Sequence, residues 1–374
     1  MTRCVLVTGA AGFIGANFCH YWAKHHPADR LIGYDLLTYA GNPASVESLT
    51  RSGQLALIQG DIVDFDAVSA AFNQTQPDWI VNFAAESHVD RSIKDPRAFG
   101  RTNVLGTQVL MDAARELWGA TPEPNKRFHH VSTDEVFGTL GPNDAPFSES
   151  TAYAPNSPYA ASKAAADHFV RAYGRTYNFP YTLSNCSNNY GPYQFPEKLI
   201  PLCLLNILEG RRLPIYGDGQ QVRDWLHVHD HCRAIDVILQ TSPLGESFNV
   251  GGGTELANLT VIDQLCHIVD QAFLENPGLK QRFVRSPMAN SVASRELIEF
   301  VRDRPGHDRR YAVNGDKLTQ ALGFSAQQNF AEGLTQTVHW YLGHEPWWRG
   351  VLDGSYRDWV REHYGDKAHT EPMA

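Results

Sequence analysis

Two pairs of side chains in this sequence are spaced to move protons. Asp134 and Glu135 stand side by side in Val131-Ser-Thr-Asp-Glu-Val-Phe-Gly138, and Tyr159-Ala-Ala-Ser-Lys163 begins 24 residues after Glu135. A Tyr and a Lys four residues apart in a helix share one face. A phenol beside an ammonium is suited to taking a hydroxyl proton while hydride leaves the same carbon. An oxidoreductase needs little more. Two further carboxyl groups could abstract one proton and donate another, which is what removing water beyond the redox step requires. The pattern points to a dehydratase that works through redox chemistry. An isolated Asp-Glu dipeptide carries no such meaning, since acids are mostly solvated loop residues.

Geometry sets a condition on this reading. Adjacent side chains on a regular strand point to opposite faces, so both acids can reach one small substrate only if the chain bends at the end of its strand. A break in the strand is expected there.

The elements that must position these groups follow from hydrophobic period. In the first half, short apolar runs alternate with longer amphipathic stretches, the pattern of strand–helix–strand units in a parallel sheet. Strands are expected near Arg3–Thr8, Leu31–Tyr34, Ala56–Gln59, Trp79–Asn82, Arg127–Ser132 and Tyr181–Ser184, and helices near Ile14–Lys24, Phe65–Asn73, Ala98–Leu117 and Tyr159–Tyr177. This is an α/β fold, a Rossmann-type doubly wound parallel sheet with right-handed crossovers. From about Asn185 the pattern loosens into Pro- and Gly-interrupted loops, which suggests a smaller C-terminal α/β substrate domain. Trp225–Gln240 reads as a strand and helix returning to the main sheet. The expected division is therefore 1–185 plus about 225–245 for the dinucleotide, and about 186–224 plus 246–366 for the substrate. Trp340, Trp347, Trp348 and Trp359 are expected to pack helices onto the second domain, with a disordered polar tail beyond.

After the first strand, Gly9-Ala-Ala-Gly12-Phe-Ile-Gly15 opens a helix. Glycine permits a tight turn and close backbone approach, while a helix N-terminus offers amides and a positive dipole end to a pyrophosphate. Asp35 closes the next strand, where an acid binds adenosine ribose hydroxyls and repels a 2′-phosphate, so the expected cofactor is NAD rather than NADP. Asp61 and Ile62 follow the third strand toward the adenine. Ala84-Ala-Glu-Ser87 follows the fourth, at the carboxyl edge where such sheets bind ligands.

Bulk composition excludes several classes. The 374 residues suffice for one large or two moderate domains, and a net charge of −9 spread along the chain argues against nucleic acid as a partner. The six cysteines have no Cys-x-x-Cys and no regular spacing, which argues against a disulfide framework or thiolate metal site and fits a reducing cytoplasm. No apolar run is long enough to cross a membrane, and no secretory leader is evident. His227-Val-His229-Asp-His231 places alternate imidazoles on one strand face, but no companion carboxylate–histidine motif supports a metal, and none is expected.

The glycine string with Tyr159-x-x-x-Lys163 resembles the extended short-chain dehydrogenase/reductase family. Glu86-Ser-His-Val-Asp-Arg-Ser-Ile93, Ser132-Thr-Asp-Glu-Val136, Asn188-Asn-Tyr-Gly-Pro-Tyr-Gln-Phe-Pro-Glu-Lys-Leu-Ile-Pro201, Arg223-Asp-Trp225 and Asp303-Arg-Pro-Gly-His-Asp308 are similar to its nucleotide-sugar dehydratase branch. The likeness runs from the first strand to about Arg310. It implies a homodimer, paired through Ala98–Leu117 and Tyr159–Tyr177, that uses bound NAD to turn dTDP-glucose into a 4-keto-6-deoxy sugar and water.

Roles carried over to matching positions are as follows. Tyr159, its phenol pKa lowered by Lys163 and the nicotinamide cation, would take the C4 hydroxyl proton, and Thr133 would orient the C4 oxygen. Glu135, ionised, would remove the C5 proton, and Asp134, neutral, would protonate the departing C6 hydroxyl. The cofactor set would be Gly9, Gly12, Phe13, Ile14, Gly15, Asp35, Leu36, Thr38, Asp61, Ile62, Phe83, Ala84, Ala85, Ser87, Thr102 and Asn189, with Tyr159 and Lys163. The substrate set would be Arg223 as phosphate clamp, with Ser87, His88, Thr133, Asn188, Glu197, Lys198, Leu199, Pro214, Tyr216, Asn258 and His307. Without the resemblance, the other reading of Arg223 is a scaffold ion pair with Asp224 or Asp230. The sequence departs from the branch pattern at Phe137, where Tyr is common, at His227, and along Gly253–Asn258. The alternatives are another dehydratase or a 4-epimerase acting on a UDP- or CDP-sugar, or a silent NAD-binding regulator.

Overall fold

The protein is described from a computed structural model that covers residues 2–352; Trp359 and the polar tail lie outside the described residues. Seven strands form one all-parallel sheet in the order β10-β6-β5-β4-β1-β2-β3. They are β1 (Cys4–Thr8), β2 (Arg30–Asp35), β3 (Leu55–Gln59), β4 (Trp79–Asn82), β5 (Arg127–Thr133), β6 (Tyr181–Cys186) and β10 (Ser247–Val250). Both sheet faces are covered, so the strands are apolar on both sides. Leu6, Ile80, Phe128 and Leu183 pack beneath the helices Phe65–Thr75 and Thr107–Trp118, while Val5, Val7, Val81 and Val131 pack beneath Phe13–His25 and Val228–Thr241. The strand order reverses between β1 and β4, which opens the carboxyl edge there as a crevice.

Two helices carry the sequence signals that end them. Phe13–His25 stops with Lys24 and His25 in its last turn. Pro158–Tyr177 starts with Ser157 accepting from the Ala160 amide and Pro158 in the first turn, and it stops at left-handed Asn178 (φ 54°).

The structure corrects two expectations. Ala98–Leu117 is not one regular helix: an α-helical turn at Pro96–Phe99 runs into a π-helical stretch at Gly100–Gly106 before Thr107–Trp118 resumes α-helix. Within the wide stretch, Asn103 bonds the Glu86 amide and carbonyl, both at 2.9 Å, and the Ser162 hydroxyl at 2.8 Å. The second correction concerns Trp225–Gln240. Its strand, β9 (Val222–His227), pairs instead with β7 (Asn188–Tyr190) and β11 (Glu255–Ala257) in a three-stranded sheet. Only its helix, Val228–Thr241, returns to the main sheet, and β10 is the strand that follows it there.

The second core gathers Leu199–Leu208, Asn258–Glu275 and Phe330–Gly343 around Leu204, Leu265, Val338 and Trp348, with Trp340 and Trp347 on its margin. Beside it runs a pair formed by β8 (Leu213–Tyr216) and β12 (Ile298–Val301). The helix Glu345–Leu352 lays Trp347, Val351 and Leu352 against Phe195, Tyr39 and Ala40. The Trp347 indole donates to Ser45 Oγ at 3.1 Å.

Candidate active site

Every residue expected at the cofactor lines one cleft of about 320 Å³, joined there by Thr133, Glu135, Asn188, Glu197 and Lys198. Its floor at one end is backbone. Gly9 adopts φ +66°, and a Cβ there would stand 2.8 Å from the Ala84 amide nitrogen; a Cβ on Gly15 would stand 2.1 Å from the Gly9 carbonyl oxygen. The turn and the helix after it therefore close on each other only because side chains are missing. The helix Phe13–His25 has no side-chain cap and no acid in its first turn, so its leading amides are left for an anion. Asp35, buried at the end of β2, accepts from the Ala11 amide at 2.9 Å and the Leu37 amide at 2.8 Å. Burial pushes its carboxyl up against those two bonds. This uncapped, glycine-closed cradle with a carboxylate at the next strand end fits a dinucleotide diphosphate with a free 2′-hydroxyl.

At the other end the strand breaks where the two acids require it. β5 ends at Thr133, and Asp134–Phe137 form a 3₁₀ turn. Thr133 Oγ1 accepts from the Glu135 amide and donates to Asp134 Oδ1, both at 3.3 Å, so one hydroxyl holds the turn. Thr133, Glu135, Tyr159 and Lys163 face the cleft, whereas Asp134 is buried outside its lining, 2% exposed. Burial first, then the Glu135 and Asp224 charges, hold the Asp134 carboxyl well above its usual range. Burial raises Glu135 as well, but Arg304, Arg223 and Lys198 oppose the shift. Both acids are thus raised, Asp134 well above its usual range, while cations partly oppose the rise of Glu135.

Tyr159 differs from expectation. Burial and then the Glu135 charge push its phenol well above its usual range. Lys163 Nζ donates to the Val131 carbonyl at 2.8 Å, and burial draws its own pKa down.

The expected substrate residues divide. Ser87, Asn188, Glu197 and Lys198 line the cleft, with Lys198 Nζ donating to the Ser87 carbonyl at 2.8 Å. His88 is buried and caps the helix Val89–Lys94, 3.9 Å from Glu197. Arg223 pairs with neither Asp224 nor Asp230. Its guanidinium lies 4.2 Å over the Tyr311 ring and donates to the Val222 and Asp308 carbonyls. Asp224 instead accepts from the Gly252 and Thr254 amides, and Asp230 pairs with Arg233. Tyr216 donates to Asp90 at 3.1 Å and meets the His307 ring edge-on at 6.1 Å, while His307 Nδ1 lies 2.6 Å from Asp303. Leu199, Pro214 and Asn258 are not brought into the cleft lining: Leu199 packs on the second core, Pro214 pairs in β8, and the Asn258 amide donates to the Gln221 carbonyl at 3.0 Å.

The alternation assumed for His227, His229 and His231 ends at His227, which caps the helix Val228–Thr241. His231 bonds Asn189 Oδ1 at 2.9 Å. Among the described residues no group of His, Cys, Asp and Glu is placed to hold a metal ion. Of the departures from the branch pattern, Phe137 packs at 5.1 Å against both Phe147 and Tyr153.

Sequence reasoning missed Arg304, Arg91 and Tyr39. Arg304 opposes the rise in Glu135 and stands 3.5 Å from Asp90; Arg91 lies 3.7 Å over the Tyr39 ring, whose hydroxyl reaches Glu197 at 3.4 Å. Arg304 and Arg91 sit inside strings already singled out, so the signal was present but unassigned to a charge.

A doubly wound parallel sheet with a glycine cradle at its switch point and a Tyr-x-x-x-Lys pair opposite defines an extended short-chain dehydrogenase/reductase. The family described as GDP-mannose 4,6 dehydratase matches residues 6–337. A dTDP-glucose 4,6-dehydratase of Xanthomonas campestris pv. campestris is 49% identical over 355 residues, covering 94% of this chain and 97% of that protein. Among solved structures, dTDP-glucose 4,6-dehydratase from Streptomyces venezuelae with NAD and TYD bound superposes with a TM-score of 0.82 at 41% identity, over 93% of this chain and 99% of that one. The Bacillus anthracis enzyme of the same name, in complex with NAD, gives 0.80 at 40% identity over 94% and 100%. The chain belongs to the nucleotide-sugar 4,6-dehydratase family and, within it, to the dTDP-glucose 4,6-dehydratases.

Proposed function

We propose that this protein is an NAD-dependent dTDP-glucose 4,6-dehydratase that forms dTDP-4-keto-6-deoxyglucose and water. The observation that carries the reading is the break after Thr133, which puts Glu135 in the cleft lining with Tyr159 and Lys163 and Asp134 buried directly beside it in the turn. A 4-epimerase needs Tyr159 and Lys163 but gains nothing from two acids at this turn.

When bound, NAD supplies the hydride acceptor for C4, a positive ring charge beside the Tyr159 phenol, and the hydride returned to C6. The chain supplies the proton traffic. Tyr159 takes the C4 hydroxyl proton, with the Lys163 ammonium favouring the phenolate against burial and the Glu135 charge. Thr133 orients the C4 oxygen. The new carbonyl acidifies C5, and Glu135, whose rise on burial Arg304, Arg223 and Lys198 oppose, takes that proton. Asp134, held protonated by burial, gives its proton to the leaving C6 hydroxyl, and water departs. A proton then returns to C5.

Arg223 holds the diphosphate with its guanidinium, already flattened on Tyr311. The cofactor occupies 1–185 and about 225–245; the sugar nucleotide is held by about 186–224 and the chain after 246, apart from β10 in the main sheet. Phe169, Tyr177 and Leu105 remain exposed on the helical segments expected to pair in a homodimer, which supports that assembly. The six thiols are all buried and unpaired, in keeping with a cytoplasmic enzyme.

The test is incubation with dTDP-glucose. The expected outcome is the alkaline absorbance of a 4-keto-6-deoxy sugar with no net consumption of added NADH; a 4-epimer, or no change, would remove the proposal.

A further inference from the structure

Behind the cleft, Lys163 is tied into a buried polar chain to which the proposed reaction gives no role. The Ala84 amide donates to Thr8 Oγ1 at 3.2 Å, Thr8 donates to Asn82 Oδ1 at 2.7 Å, and the Asn82 amide donates to Thr107 Oγ1 at 3.3 Å and His130 Nδ1 at 3.2 Å. Thr107 spends its own hydrogen on the Asn103 carbonyl at 2.7 Å. Each hydrogen has one destination, so Asn82 meets His130 with its NH₂ side. Nδ1 of His130 is then an acceptor, and the ring hydrogen sits on Nε2.

That nitrogen lies 3.3 Å from Asp167 Oδ1 and 3.5 Å from Lys163 Nζ. The other oxygen of Asp167 accepts from Ser132 Oγ at 2.8 Å, Tyr153 OH at 2.9 Å and Asn185 Nδ2 at 3.2 Å. Both His130 and Asp167 are fully buried. Burial draws His130 down to about 4, so the ring is neutral. Burial works to raise Asp167 too, but the His130 contact, the Lys163 charge and the Ser132 bond outweigh it and keep the carboxyl below its usual range. An ionised carboxylate is thus built into the dry interior one imidazole away from the ammonium. Such a group is expensive to bury and is tolerated where a charge opposite it is needed.

We propose that Asp167 is a positioning residue for Lys163: its charge keeps the buried ammonium protonated, while the neutral His130 ring, its hydrogen on Nε2 toward the carboxylate, holds that carboxylate beside it. The inference rests on the reading of Tyr159 as proton acceptor and Lys163 as its charge. Burial favours loss of the Lys163 proton, and Asp167 is the leading charge that opposes it. The other ionisable groups facing the pair are Cys186 from β6, Tyr159 on the same helix, Tyr153 with Arg171 donating to it at 2.9 Å, and Glu135 with Asp134 from the 3₁₀ turn. Cys186 is itself driven up by burial and stays a thiol, which leaves Asp167 as the fixed negative charge at the ammonium's back.

The experiment uses the full chain with bound NAD and follows kcat for 4-keto-6-deoxy sugar formation against pH. Asp167→Asn should move the alkaline limb down by about one pH unit or more, the effect of removing one buried charge. Bound NAD and KM should stay within about twofold of wild type at pH values below the limb, where Lys163 keeps its proton in both proteins. Asp167→Glu, which keeps the charge, should leave the limb in place. Tyr153→Phe removes a donor but no charge and should leave it too. An unmoved limb in folded Asp167→Asn overturns the inference, as does an equal displacement in Tyr153→Phe, which would make the network merely structural. If Asp167→Asn does not fold, Asp167→Glu carries the test: a limb at the wild-type position supports the inference, and one displaced downward overturns it. A wild type that makes no product would remove the functional reading itself, and the inference with it.

Discussion

At one end of the cleft the binding groups are backbone amides; at the other they are side chains gathered from distant parts of the chain. The cradle around Gly9, Gly12 and Gly15 is one turn between β1 and its helix, closed by missing side chains and pinned by Asp35 through two amides. The acid corner takes Thr133, Asp134 and Glu135 from one turn but depends on Arg223 from β9, Arg304 from a loop after β12 and Lys198 from another loop to set their charges. A site made of backbone is sensitive to volume, and a site made of buried charge is sensitive to protons. The first needs only local sequence, and the second needs the whole fold.

Substitutions can break that contrast, and the isosteric acid variants should have the largest effect. Glu135→Gln should lower turnover by about a thousandfold and stop solvent exchange at C5, while cofactor reduction on mixing with substrate persists. Unchanged exchange measured by mass spectrometry in deuterated buffer would cancel the assignment. Asp134→Asn should lose about a hundredfold or more in water loss while C5 exchange continues, because the amide cannot give up a carboxyl proton. Bound NAD should be normal in both variants. In the cradle, Gly15→Ala introduces a single methyl against the Gly9 carbonyl and should weaken NAD retention by about a hundredfold, as one or two amide–phosphate bonds are lost. The check is the NAD content of purified protein, restored on adding excess cofactor.

The smallest effect is on stability. Burial, ahead of the charges around it, pushes the Glu197 carboxyl up to about 7. The folded state therefore keeps a proton that the unfolded chain releases at its ordinary carboxylate pKa, and the stability this contributes is lost as pH rises through about 7. Glu197→Gln should gain about 2–3 kcal/mol relative to wild type between pH 5 and pH 8, seen as a Tm difference that widens with pH. A constant difference across that range would mean that the carboxyl is charged throughout.

The same contrast explains what could be read from sequence. The cradle was legible because its glycines recur every third residue between a strand and a helix, and the six early strands came close to their observed bounds because their runs are apolar on both faces. The bend at Asp134 was legible as a chemical requirement, although nothing in local propensity asks for it. Arg304 escaped because its role depends on which carboxylate the fold brings to it. Leu199, Pro214 and Asn258 were placed in the site by likeness, and they stand outside the cleft lining. β9 was assigned to the wrong sheet because strand periodicity says nothing about partners, and β10, which follows the same helix, took the place expected for it. The π-helical stretch was invisible in the hydrophobic period, and the bonds Asn103 makes from it to Glu86 are tertiary.

The helix Glu345–Leu352 leans Val351 and Trp347 on Phe195, Tyr39 and Ala40, and two of these, Phe195 and Ala40, line the cleft. The helix itself lines no part of the cleft, so it acts on the site at one remove: a change at Trp347 or Val351 reaches bound nucleotide only through Phe195 and Ala40, as a footing carries a wall it does not touch on the inside.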